Sequence, residues 1–140
     1  MWLANVVVTA LLVGLIWTIQ WVHYPLFAEV PASAFPSFHA AHVARITGLV
    51  APLMTLEAVL AVAWCVSAWR EGAPMRAPGI AMALVGVAWA STALLSVPLH
   101  DRLAHASDAA TVAALVRTNL VRTVAWTVRL AVVVIGGASA

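Results

Sequence analysis

Four apolar runs of about 20 residues, separated by short polar or proline-bearing stretches, constrain this chain more than any other feature. A helix of that length rises 1.5 Å per residue and spans the roughly 30 Å hydrocarbon layer of a bilayer. Within hydrocarbon every backbone N–H and C=O must be satisfied inside the segment, which favours helices. The chain has 140 residues, 64% hydrophobic and 9% charged. Soluble domains carry about 25% charged residues, so a water-soluble fold would leave too much apolar surface exposed. The expected fold is all-α. It is a single four-helix transmembrane bundle over residues 1–140, with spans at about 2–22, 43–69, 79–97 and 119–137.

The first run lacks a positive leading segment and a clear cleavage site, so it is expected to be a retained helix. Trp17 and Trp21 suit the approach to an interface. His23-Tyr24-Pro25 is expected to end it, and the connector to Pro36, with Leu26, Phe27, Val30 and Phe35, to lie in the interface. The second helix is expected from near Pro36 to about Trp69, kinked at Pro52. A polar turn follows over 70–79, and Pro98 is expected to terminate the third helix. The stretch 100–117 is the most polar, with Asp101, Arg102, His105, Ser107 and Asp108. His105 is expected to face solvent there. Asp108 is expected to cap a short surface helix that starts at Ala109 and turns into the fourth span. Gly14, Gly48 and Gly86 are expected at close helix approaches.

A net charge of +2, dispersed along the chain, gives no nucleic-acid footprint. The single cysteine, Cys65, excludes an intrachain disulfide and a cysteine-based zinc cluster, and is expected to be a packed thiol. Expected partners are membrane lipid, an apolar small molecule, and a homo-oligomer or larger membrane complex. Arg70 and Arg76 mark one side of the membrane, Arg102 and Arg117 the other. The compact 70–79 turn tips the expectation to cytoplasmic termini.

Polar residues inside spans mark candidate sites. If the chain crosses four times, His23, His39, His42 and His100 arrive at one level on three helices. His39 and His42, three residues apart, share a helix face. Such a set could hold a transition metal, iron, copper or zinc; each histidine is otherwise an ordinary interfacial residue. Gln20, Arg45, Asn119 and Arg122 fall nearby by the same depth count. Glu57 lies about 22 Å along the helix from His42, so the two cannot share an ion. Depth counting instead pairs Glu57 with Arg129, on a face of the fourth helix that also carries Asn119, Arg122 and Trp126. That pair either fixes packing or anchors a substrate or proton path. Trp17, Trp89 and Trp126 lie between the two polar levels. They are either packing residues or the walls of a cavity for a flat apolar ligand, with Arg129 beneath.

Several short motifs resemble those of the anthrone-oxygenase-like group of small bacterial and fungal membrane proteins. They are His23-Tyr24-Pro25 after the first span, Pro98-Leu99-His100-Asp101-Arg102-Leu103 after the third, and Arg117-Thr118-Asn119-Leu120-Val121-Arg122-Thr123 entering the fourth. The resemblance implies four short spans, oxidative chemistry on a lipid-soluble substrate, and a place in a bacterial inner membrane. The group carries Asn where this chain has His100, and the His39/His42 pair is a further departure. Two function classes follow. One is a membrane oxidoreductase with a metal at the four histidines, Arg122 and Asn119 orienting substrate or oxygen, and Glu57 relaying protons. The other is a cofactor-free membrane subunit or binding protein. Haem held by two histidines, and transport, are further readings.

Overall fold

A computed structural model describes residues 1–105 and 108–138 of the chain. Ser107, in the polar connector, lies outside the described residues. Four helical segments are long and apolar enough to cross a membrane: Trp2–Glu29, Phe35–Arg70, Arg76–His105 and Ala109–Gly137. Only 17–33% of an apolar 18-residue stretch in each is buried against the rest of the chain. Leu11, Trp21, Leu49, Val59, Leu94 and Ile135 point outward. Bilayer lipid is the solvent that suits such a surface.

Helix α1 (Trp2–Thr18) passes into a π-helical turn (Ile19–His23) and then a 3₁₀ turn (Pro25–Glu29). Pro25 opens that last turn, where its missing N–H leaves nothing unsatisfied. The connector packs onto the bundle, with Tyr24, Phe27 and Phe35 buried in the main apolar cluster. Helix α2 (Phe35–Arg70) begins one residue before Pro36 and runs unbroken through Pro52. Gly72, at φ 65°, closes the turn after it in the left-handed conformation that glycine tolerates.

The third span differs from expectation. Helix α3 (Arg76–Ser91), a π turn (Thr92–Ser96) and α4 (Val97–His105) form one continuous segment. Pro98 does not end it. A proline ring meets the carbonyl four residues back, here Leu94, and that residue lies in the widened turn. The expected surface helix is likewise absent as a separate element among the described residues, for α5 (Ala109–Ala138) is one 30-residue helix. Asp108 does cap it, accepting from the backbone N–H of Ala110 at 3.2 Å and of Thr111 at 2.9 Å.

Helix α5 packs along α1 and α3, and α2 packs along the same two, so α2 and α5 stand at opposite corners. The Trp2 indole donates to the Val133 carbonyl at 2.9 Å, which brings the two chain ends together at one end of the bundle. A Cβ at Gly14, Gly48 or Gly86 would meet open space, so these glycines do not mark close approaches. The tight contacts are at Gly136, against Ala77, and Gly137, against the Trp2 indole. Cys65 is a half-buried free thiol whose S–H donates to the Pro78 carbonyl at 3.5 Å.

Candidate functional site

The two polar levels are both present, and they differ in kind. At the deeper one, Glu57 and Arg129 meet across the bundle diagonal at 3.2 Å, both fully buried. The Trp126 indole donates to Glu57 at 2.9 Å. Arg129 donates to Asn5 Oδ1 at 3.0 Å and to Thr9 Oγ1. Asn5 in turn donates to the Leu60 carbonyl at 3.3 Å. Each charge therefore has a partner, which a charge in hydrocarbon requires. Asn5 and Thr9 were visible in the sequence only as polar interruptions of an apolar run. Their four-residue spacing places both on one face.

The outer level surrounds the end of a cavity of about 280 Å³. Its walls are apolar: Leu12, Ile16, Ile46, Val50, Met54, Trp89 and Trp126. Its polar end is formed by Tyr24, Thr92, Ser96, His100 and Arg122. Both π turns lie here, one directly before Tyr24 and the other spanning Thr92 to Ser96. A π turn widens the helix and re-aims the residues that follow it, and such turns recur at functional sites. Neither was legible in the sequence, since nothing in the local residue pattern distinguishes five from four residues in a turn.

A directed hydrogen-bond chain runs along the polar end. Arg122 Nη2 donates to Tyr24 at 3.4 Å, because a guanidinium only donates. The phenol then donates to His100 Nε2, 3.0 Å away. That assignment puts the His100 proton on Nδ1, which lies 3.1 Å from His39 Nε2. The tautomers are inferred from the network in this way. The same Nη2 donates to Asn119 Oδ1 at 2.5 Å, and Asn119 donates to Gln20 at 2.8 Å. Asn119 thus anchors the guanidinium and does not line the cavity. Tyr24, the link between the arginine and the histidines, was read from sequence only as part of a helix-ending motif.

The four histidines do converge. His23 Nε2 and His42 Nδ1 are 2.7 Å apart, and the rings of His42 and His100 have centroids 5.4 Å apart. Phe27 packs edge-on to His42, Phe35 stacks on His39, and Phe38 lies tilted against His23. The nitrogen pairs face each other at hydrogen-bond distance, as when one ring's N–H donates to the other's lone pair. Two nitrogens bound to one tetrahedral ion at about 2.0–2.1 Å would stand about 3.3 Å apart with no proton between. Among the described residues, no three His, Cys, Asp or Glu side chains are arranged to hold an ion. His42 Nε2 is nevertheless buried without a hydrogen-bond partner.

The remaining candidates are placed as follows. Trp89 and Trp126 line the cavity, whereas Trp17 lies on the outer surface, donating to Thr127 at 3.1 Å and stacking on Trp21. Glu57 and Arg129 lie beneath Trp126, outside the cavity lining. Arg45 is exposed and apart from the network, and His105 is exposed, 2.7 Å from the Asp101 carbonyl. No protein-family model, curated protein or solved structure matches the chain.

Proposed function

We propose that this integral membrane protein is oxidoreductase-like, taking a lipid-soluble, oxygen-bearing substrate into the cavity and meeting its head with Tyr24, His100 and Arg122. The observation that supports this reading is the ending of an apolar cavity on the Arg122–Tyr24–His100–His39 chain. A neutral imidazole beside a phenol is an acid–base pair. An acidic substrate oxygen or carbon at the cavity end can give its proton to the Tyr24 oxygen as the phenol gives its own to His100 Nε2, and His100 passes its Nδ1 proton to His39 Nε2. Asn119 holds the guanidinium in place. Glu57 and Arg129 tie the diagonal helices and stand outside the chemistry. An apolar cavity of about 150 Å³ accommodates benzene. The 280 Å³ here suits a two- or three-ring body.

The resemblance to the anthrone-oxygenase-like group names the reaction to assay. Anthrone and dioxygen give anthraquinone and water, with dioxygen as the oxidant. Oxygen uptake by protein-bearing nanodiscs supplied with anthrone is expected to exceed that of empty discs. His100→Ala should cut the excess by at least about 10²-fold, the usual worth of a general base. No excess, with a naphthalene probe still binding, would favour the binding-protein reading instead.

A transition metal, iron, copper or zinc, at His23, His39, His42 and His100 is a second reading, supported by the unpartnered His42 Nε2. It requires the rings to turn and break those hydrogen bonds. Metal content should then fall on acidification, since imidazole ligands must be neutral. Metal analysis and an absorption spectrum of untagged protein test it, haem included. The orientation proposed with both readings places the termini in the cytoplasm, on the strength of Arg70 and Arg76. A reporter fused after residue 138 tests that side.

A further inference from the structure

The two buried arginines differ in one respect. Arg129 is fully buried and has Glu57. Arg122 is 6% exposed, and among the described residues no carboxylate forms an ion pair with it. Its bonds to Tyr24 and Thr92 are both 3.4 Å long, its Nε has no partner, and only Asn119 holds it closely. Asp101, the one acidic residue bordering the cavity, is exposed and unpaired with it. A buried charge with no opposite charge beside it is costly, so chains avoid it unless something else supplies that charge. Arg122 borders the cavity.

We infer that the cavity's ligand carries an anionic oxygen head, a carboxylate or a phenolate, seated against the Arg122 guanidinium. The inference rests on the cavity reading above and adds the ligand's charge to it. A planar guanidinium matches the two oxygens of a carboxylate, or one phenolate oxygen shared with the Tyr24 hydroxyl. The apolar walls take the hydrophobic body. Arg122 then fixes the head at the cavity end, where the Tyr24 hydroxyl and His100 Nε2 also lie.

The test is a pair of probes that share a naphthalene body and differ in the charge of the head, 2-naphthoate and its neutral methyl ester. Both are titrated into the full-length protein in zwitterionic nanodiscs, with empty discs as the partition control. Wild type should bind the carboxylate at least about tenfold more tightly than the ester, the scale of one charge-assisted hydrogen bond. Arg122→Gln should abolish that preference, and Arg122→Lys should keep most of it. The wild-type comparison stands even where Arg122→Gln fails to fold. Equal binding of the two probes by wild type overturns the anionic head and leaves the cavity reading intact. Binding of neither probe overturns both.

Discussion

Replacing Glu57 by Gln tests whether the buried pair ties the bundle diagonal. Gln keeps the shape and still accepts from the Trp126 indole, now 2.9 Å away. It removes the charge facing Arg129 at 3.2 Å. Arg129 would keep Asn5 and Thr9, which are neutral. Breaking one side of a buried pair costs about 3–5 kcal/mol, and the retained tryptophan bond puts this change near 3. Arg129→Met alone should cost about as much, by leaving Glu57 unpaired. The double change Glu57→Gln with Arg129→Met removes both charges. It leaves Asn5 Oδ1 unsatisfied, at about 1–3 kcal/mol. The singles sum to about 6 kcal/mol or more, so the coupling should be at least about 3 kcal/mol. Detergent-driven unfolding of purified protein in mixed micelles measures all four variants. Additivity within about 0.5 kcal/mol would refute the pairing.

Three further outcomes are expected. Tyr24→Phe should lower stability by about 1–3 kcal/mol in the same unfolding assay, because it leaves Arg122 and His100 without their shared partner. Gly137→Ala should destabilise by about 1–3 kcal/mol through overlap with the Trp2 indole, while Gly14→Ala should stay within about 0.5 kcal/mol. Hydrogen bonds from the Thr111 side chain and backbone and the Ala110 N–H hold the Asp108 carboxyl below the usual carboxylate range. The cap is therefore present above that range and lost as pH falls through the lowered value. Protection of the Ala110 and Thr111 amides, taken relative to the intrinsic exchange rate at each pH, should fall on that descent, and be low at every pH in Asp108→Ala.

The four spans were legible because a bilayer demands length and hydropathy, and both are written residue by residue. Depth was legible too: counting 1.5 Å per residue was enough to pair Glu57 with Arg129 and to bring four histidines to one level. Rotation about each helix was not. The π turns at Ile19–His23 and Thr92–Ser96 shift the faces that follow them, and tertiary packing chooses them. Hence Tyr24 was passed over as the hub and Pro98 was taken for a stop. Of Trp17, Trp89 and Trp126, read as either packing residues or cavity walls, Trp89 and Trp126 line the cavity and Trp17 does not. The glycines erred for a related reason. Close approach depends on which neighbour faces a position, and Trp2 and Ala77 face Gly137 and Gly136.

The central claim is that a lipid-soluble molecule sits among α1, α2, α3 and α5 with its head at Tyr24 and Arg122. Photolabelling tests it most directly. A diazirine-bearing naphthoate is irradiated with the protein in nanodiscs, and the labelled residues are mapped by peptide mass spectrometry. The account predicts labels on Val50, Met54 and Trp89 of the cavity wall, competed away by unlabelled naphthoate. Labels confined to the outward groove of Leu84, Val87, Val121 and Val124, without competition, would contradict it.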